Sequence, residues 1–324
     1  MAGLNCDLGF DIVHTHDFAG LFFHPPAGVC WIQTVHGTLF SETPLDWRYR
    51  AHRNTWQNAA AAVRGVARFA LMPAFAGMLR HCNRLVVDSD FTRRELLAAY
   101  PYTRGKITDV PLGIDFRRYP GSFDGEKKVG SEWRLKILLL GRLSETKGIS
   151  IALQAAATLK SMGVPFEMTI AGRGKFEDGA HAMATTLDVM EQVSFSGYVA
   201  PEAIPRLFAA SNIFLFPDLT QPAFGLVALE AMAYGLPVMG ARSGAIPEVV
   251  PEECGWLFDP WDSIQLAGML ARIYQAGASI LKQKSDCAMA YAKLHSGEQM
   301  AQNMENVYLN CLADMSDKTV NVAH

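Results

Sequence analysis

Two cations and a carboxylate are spaced along this chain as a phosphate-handling site would need them. Arg142 and Lys147 fall within Gly141-Arg142-Leu143-Ser144-Glu145-Thr146-Lys147-Gly148, directly after the apolar run Leu135 to Leu140. Arginine offers phosphate oxygens a planar fork and lysine a mobile point charge, so together they could neutralise a leaving diphosphate without a metal ion. Downstream, Phe224-Gly225-Leu226-Val227-Ala228-Leu229-Glu230 reads as the start of a helix that Gly235 and Pro237 stop. The N–H groups of Gly225, Leu226 and Val227 would then point outward with the positive end of the helix dipole behind them, a seat for a diphosphate, while Glu230 suits a sugar hydroxyl. Each feature also has a plainer reading: loop cations are commonly just solvated, and Glu230 could serve only the dipole or a backbone cap.

Other polar groups carry less. His36 ends the apolar run Cys30 to Val35 and precedes Gly37, which aims its imidazole at the end of a strand, where structural hydrogen-bonding histidines are also common. His14-Thr15-His16-Asp17 has a spacing that does not discriminate a metal site, and no metal is assigned to it. Ser89 to Glu95 reads as a capped helix start, with Ser89 or Asp90 as the cap. Gly172-Arg173-Gly174 lacks the third glycine of a dinucleotide fingerprint.

The elements that must position these groups alternate. Strands are expected at Asp11 to Val13, Cys30 to Val35, Arg84 to Val87 and Ile107 to Val110, and again at Leu135 to Leu140, Phe166 to Ala171, Val193 to Phe195, Asn212 to Phe216 and Pro237 to Met239. Helical stretches between them call for α/β domains with parallel sheets and right-handed crossovers. Glycine, proline and charge displace the apolar pattern at Tyr119 to Trp133, which predicts the domain boundary, and Tyr291 to Met315 reads as a closing helix.

Bulk properties agree with two domains. The chain has 324 residues, half of them apolar, and a net charge of −3, which gives no reason to invoke nucleic acid. Six cysteines are scattered without paired metal spacing, so reduced, cytoplasmic thiols are expected. The first residues carry no secretory signal, and no run is long enough to span a bilayer. Trp47 to Arg80 mixes apolar residues with six arginines, a composition compatible with peripheral contact at the inner face of a membrane. An ordinary domain helix with its arginines in water is the preferred reading, since the stretch is alanine-rich and Pro73 interrupts it.

The motif series resembles the retaining glycosyltransferases of family 4, which have the two-domain GT-B architecture. GRLSETKG and FGLVALEAMAYGLPV resemble the donor-binding half. IAGRGKFED, VSFSGYVAPEAIPRLFAASNIFLFP and GAIPEVV follow in family order, and DIVHTHD, TVHG, VVDSDFTRREL and ITDVPLGID resemble the amino-terminal half. The resemblance implies two Rossmann-like domains facing a cleft: an acceptor-side domain over 1–130, a donor-binding domain over 131–290, and a final segment, 291–324, packing back on the first. It implies transfer of a sugar from a nucleoside-diphosphate-sugar to a glycan, lipid or small-molecule acceptor, with retention of configuration and no cofactor or metal.

In the family the histidine at His36 lies beside the donor sugar, the turn at Arg173 lines the nucleotide pocket, and Tyr198 with Val199 stands where the base is contacted. Gly141, Phe224, Gly225, Leu226, Val227 and Glu230 would complete the donor site. Two departures are visible. Pro222 stands where the family's paired motif has its first glutamate, with Gln221 and Asp218 nearby, and the family's opening strand-helix-strand block is not seen, which implies an incomplete amino-terminal domain whose exposed edges would need cover from a homo- or hetero-oligomeric partner. These departures leave open a non-catalytic nucleotide-sugar-binding or partner subunit, or an inactive fragment.

Overall fold

The structure is a computed structural model that describes residues 9–37, 70–118 and 133–322. It divides into two compact units, one made of Met1–Leu112 with Glu298–His324 and the other of Gly113–Gly297. The expected linker at 119–133 lies almost wholly outside the described residues. The division instead falls at Leu112/Gly113, because the segment after it is tied to the end of the second unit: Ile114 N–H donates to the His295 carbonyl at 3.0 Å, and Gly297 N–H to the Ile114 carbonyl at 2.8 Å.

The first unit is a four-stranded parallel sheet in the order β1 (Ile12–His16), β2 (Cys30–Val35), β3 (Arg84–Val87), β4 (Ile107–Asp109). All six residues of β2 are buried, as a central parallel strand requires. Alternate residues serve opposite faces. Trp31, Val35, Leu85 and Val87 pack with Phe75, Met78 and Leu79 of helix α1 (residues 70–81) and Leu96 of α2 (Asp90–Ala99). Cys30, Ile32 and Val86 face Val307 and Cys311 of the last helix. Most of the arginine-rich stretch from Trp47 lies outside the described residues; its last part is α1, with Arg80 over the Tyr102 ring.

The second unit holds six parallel strands in the order β10-β9-β8-β5-β6-β7, where β5 is Leu135–Leu140, β6 Phe166–Ala171, β7 Val193–Gly197, β8 Ile213–Phe216, β9 Val238–Ala241 and β10 Gly255–Phe258. Between the strands run α3 (Ile149–Ser161), α4 (Glu177–Thr186), α5 (Ile204–Ala210), α6 (Leu226–Ala233) and α7 (Ile246–Val249). After β10 come α8 (Ser263–Ala276), α9 (Ala278–Lys293) and α10 (Gly297–Val322). One core is built from Ile137, Leu139, Met168, Ile170 and Leu215 of the sheet against Ala152, Leu153 and Ala156 of α3 and Leu266 and Leu270 of α8. The closing helix begins at Gly297 rather than Tyr291, since Tyr291 belongs to α9 and the chain breaks at Leu294 to Ser296 to meet Ile114.

The expectation of uniformly reduced thiols is overturned. Cys30 on β2 and Cys311 on α10 form a disulfide across 281 residues of sequence, with Cα atoms 6.5 Å apart. Spacing could not show it, because the pairing depends on α10 returning to the sheet's second face. Cys82, Cys254 and Cys287 are free.

Candidate functional site

The strand order of the second unit reverses between β5 and β8, the topological switch point at whose carboxyl ends open parallel sheets bind their ligands. The two loops on either side of that point, 141–148 and 217–225, carry the cations and the helix start. They are laced together. Leu219 N–H donates to the Thr146 carbonyl at 2.8 Å, and Lys147 Nζ donates to Asp218 Oδ2. Gly148 sits at φ +67°, and a Cβ there would collide with the Pro217 carbonyl, so only glycine allows the loops this close.

Asp218, which the sequence offered as a stand-in for the missing motif glutamate, is instead the buried partner of Lys147. It is 1% exposed; its other oxygen accepts from Thr220 N–H at 2.9 Å and Thr220 Oγ1 at 2.6 Å, while its carbonyl accepts from Ser243 Oγ. A carboxylate so fixed aims the Lys147 ammonium and leaves that group two further N–H donors. Arg142 is exposed and has no partner among the described residues. It is therefore free to bind an anion.

Helix α6 starts at Leu226 behind Gly225, which is left-handed at φ +106° and provides no side-chain cap. The amides of Leu226 and Val227 thus belong to an open helix N-terminus. Phe224 differs from the expectation of a ligand contact: its side chain is buried, with its ring 6.3 Å from that of His295, so only its backbone is available. Glu230 is half-buried on α6, and its carboxylate acts on Tyr234, whose phenol is held above its usual range by burial first and by Glu230 second. Pro222 uses its carbonyl to accept from Ala245 N–H at 2.8 Å, a backbone tie that a proline can still make.

Beyond β5 the ends of three strands meet. Gly172 N–H donates to the Gly197 carbonyl at 2.7 Å and Leu143 N–H to the Arg173 carbonyl at 2.9 Å; a Cβ on Gly172 would overlap the Gly141 carbonyl. Arg173 is exposed with its guanidinium beside Gly197, Tyr198 is 69% exposed, and Val199 is half-buried. Gly141, Arg142, Lys147, Arg173, Tyr198, Val199, Gly225, Leu226, Val227 and Glu230 therefore all belong to one edge of one sheet or to the first turns of the helix leaving it.

His36 lies in the other unit, at the carboxyl end of β2. Its Nδ1 is 2.7 Å from Asp88 Oδ2, its Nε2 2.9 Å from His16 Nδ1, and its backbone N–H donates to Asp17 Oδ1 at 2.8 Å. The Asp88 hydrogen bond raises its pKa against the opposing effect of burial. His14 stacks on His16 with ring centroids 4.5 Å apart, bonded to Thr34 Oγ1 at 2.7 Å and Tyr308 OH at 2.9 Å. Burial, then His16 and His36, push His14 down to about 4. Asp88, 2% exposed, was not found in the sequence, where only the capping serine beside it stood out; Ser89 is indeed the cap of α2. Among the described residues no group of three acidic, cysteine or histidine side chains is placed to hold a metal.

Comparison with known proteins settles the family. The Glycosyl transferases group 1 model matches residues 125–288 and the Glycosyltransferase Family 4 model matches residues 5–118. The chain belongs to the group 1 glycosyl transferases of family 4. The amylovoran biosynthesis glycosyltransferase AmsK of Erwinia amylovora is 32% identical over 61% of this chain and 49% of its own. The D-inositol 3-phosphate glycosyltransferase of Acidothermus cellulolyticus is 29% identical over 74% of this chain and 56% of its own. This family 4 chain thus spans about half the length of the curated relatives it matches. Among solved structures, sucrose-phosphate synthase from Thermosynechococcus elongatus superposes with a TM-score of 0.77 at 20% identity, over 96% of this chain and 76% of that one. Anabaena HepE, solved in complex with UDP, gives 0.68 at 19% identity, over 87% of this chain and 72% of that one. These likenesses identify the fold as GT-B. No helix among the described residues is long and apolar enough to cross a membrane.

Proposed function

We propose that this chain binds a nucleoside-diphosphate-sugar on its second unit and transfers the sugar to a hydroxyl acceptor with retention of anomeric configuration. The observation that carries the reading is the topological switch between β5 and β8, where Arg142, a lysine aimed by Asp218 and an uncapped helix N-terminus all lie on loops at the carboxyl ends of adjacent strands. The diphosphate rests on the amides of Gly225, Leu226 and Val227. Arg142 and Lys147 stabilise its charge as the bond from the anomeric carbon to the diphosphate oxygen breaks. The acceptor oxygen bonds to the same face of that carbon, and its proton passes to the departing diphosphate. Glu230 holds the ribose, while Arg173, Gly141, Tyr198 and Val199 line the nucleotide side. Solved structures of this fold from Anabaena HepE hold UDP and UDP-glucose, which favours a uridine donor as the first to try. The two cations take the part that a divalent ion plays elsewhere, so turnover should persist in chelator.

A second reading, a nucleotide-sugar-binding subunit without turnover, is favoured by Pro222 alone, which brings no carboxylate to the loop. One experiment separates them: calorimetry of the purified chain with UDP and UDP-glucose first and then the other nucleoside diphosphates, beside release of the nucleoside diphosphate with and without acceptor glycans, lipids and polyols. Binding with turnover supports transfer. Binding without turnover supports the subunit, and no binding of any nucleoside diphosphate refutes both.

A further inference from the structure

Three imidazoles stand in a ladder at the carboxyl ends of β1 and β2, and the hydrogen bonds leave one ring nitrogen open. Both nitrogens of His14 are taken, by Thr34 and Tyr308, and both of His36, by Asp88 and His16. His16 is exposed and its Nε2 has no partner among the described residues. We infer that His16, rather than His36, offers the substrate-facing nitrogen of this unit, and that Asp88 and His36 are positioning residues that decide whether this nitrogen accepts or donates a hydrogen bond.

The proton count fixes the logic. An ionised carboxylate can only accept, so the 2.7 Å contact to Asp88 puts a hydrogen on His36 Nδ1. With the pair neutral, His36 Nε2 is bare and must accept from His16 Nδ1–H across 2.9 Å, which leaves His16 Nε2 bare and outward, an acceptor for a sugar or acceptor hydroxyl. When one proton enters, His36 holds hydrogens on both nitrogens and donates to His16 Nδ1. The single hydrogen of His16 then resides on Nε2, which becomes a donor. His16 reverses its polarity without becoming charged.

The surroundings direct that proton to His36. Asp88 faces it from the end of β3, and Asp17, whose backbone is left-handed at φ +46°, from the turn after β1. Gln33, fully buried on β2, ties that turn by donating to the Asp17 carbonyl at 3.0 Å. Burial first and His36 second lower His16, and Tyr308 reaches His14 from α10. The substrate assignment rests on the transferase reading; the ladder itself does not.

Nitrogen-15 NMR of the histidine-labelled full chain tests it without a donor. At about pH 8, His16 should carry its hydrogen on Nδ1. As pH falls through the ionisation of His36, the hydrogen should move to Nε2 with His16 still neutral. Asp88→Asn, near-isosteric at its buried site, should lower that midpoint by about one pH unit or more, the effect of removing an adjacent opposite charge. A hydrogen on His16 Nε2 at high pH, ionisation of His16 ahead of His36, or an unchanged midpoint in Asp88→Asn overturns the inference. The wild-type titration stands even if the variant fails to fold. With an active donor, the pH profile of kcat/KM should follow the same midpoint. A ladder that switches in a chain with no transfer refutes the function and keeps the ladder, whereas transfer with no switch does the reverse.

Discussion

Arg142 and Lys147 should fail differently when mutated, because one guanidinium is free and the other cation is held by a buried carboxylate. Arg142→Ala should cost about a hundred- to a thousand-fold in kcat, roughly 3–4 kcal/mol of transition-state stabilisation, with no change in urea midpoint. Lys147→Ala should lose similar turnover and in addition lower stability by about 1–3 kcal/mol, since Asp218 would keep a charge in a site that is 1% exposed while Lys147 itself remains partly solvated. Steady-state kinetics beside denaturant unfolding checks both; an active Arg142→Ala would remove the proposed charge stabilisation. His14 makes a separate prediction. Its pKa of about 4 lies below the ordinary 6.5, so between those values the unfolded chain binds more protons. Stability is then complete above the unfolded pKa and falls as pH drops from about 6.5 toward 4. Partial exposure limits the loss to about 1–2 kcal/mol, and His14→Gln should show a flatter pH dependence by that amount. The cations, Glu230 and the helix start stand out in the sequence because each lies in a short contiguous motif. The Lys147–Asp218 and His36–Asp88 pairings do not, because the partners are 71 and 52 residues apart and only the fold brings them within bonding distance.

The loop after β5 and the loop after β8 act as one device, and Gly148 is where they touch. Gly148→Ala should destabilise the second unit by about 1–3 kcal/mol, since it adds both a left-handed strain and a clash with the Pro217 carbonyl. It should also weaken UDP binding by displacing Lys147. Unfolding and calorimetry of the variant check this, and an unchanged midpoint would show that the loops can part at little cost. Why these elements were readable follows from burial on both faces. Runs such as Cys30–Val35, Leu135–Leu140 and Phe166–Ala171 are mostly apolar and mostly buried, and they form at those limits. Gly255–Phe258 was missed because it is four residues long, lies at the sheet edge, and leaves Trp256 and Leu257 half-exposed, so no periodic signal rises above its neighbours. The break between α9 and α10 was hidden for another reason. Leu294 to Ser296 ends a helix to pair with Ile114, a partner far away in sequence.

That same long return gives the chain its covalent tie. The first unit is completed only by Glu298–His324, and Cys311 of α10 is joined to Cys30 of β2 where both are essentially buried. Closing so long a loop restricts the unfolded chain, and a buried bond of this kind stabilises by roughly 2–4 kcal/mol. Peptide mapping of the unreduced protein should therefore recover the Cys30 and Cys311 peptides as one cross-linked species. Reductant, or Cys311→Ser, should lower the unfolding midpoint of the first unit and raise amide exchange along α10, while exchange in the second unit stays as it was. Alkylation of both thiols in the native unreduced chain would instead make them small apolar packing groups, as Cys82 is. The consequence extends past stability. Tyr308 lies three residues before Cys311 on the same face of α10, and its hydroxyl is the group bonded to His14 Nδ1. A loosened α10 withdraws that hydroxyl and opens the buried face of the ladder to water. The desolvation that holds His14 near 4 would relax, so reduction should raise the His14 pKa toward its ordinary value, a shift that the same nitrogen-15 titration would report.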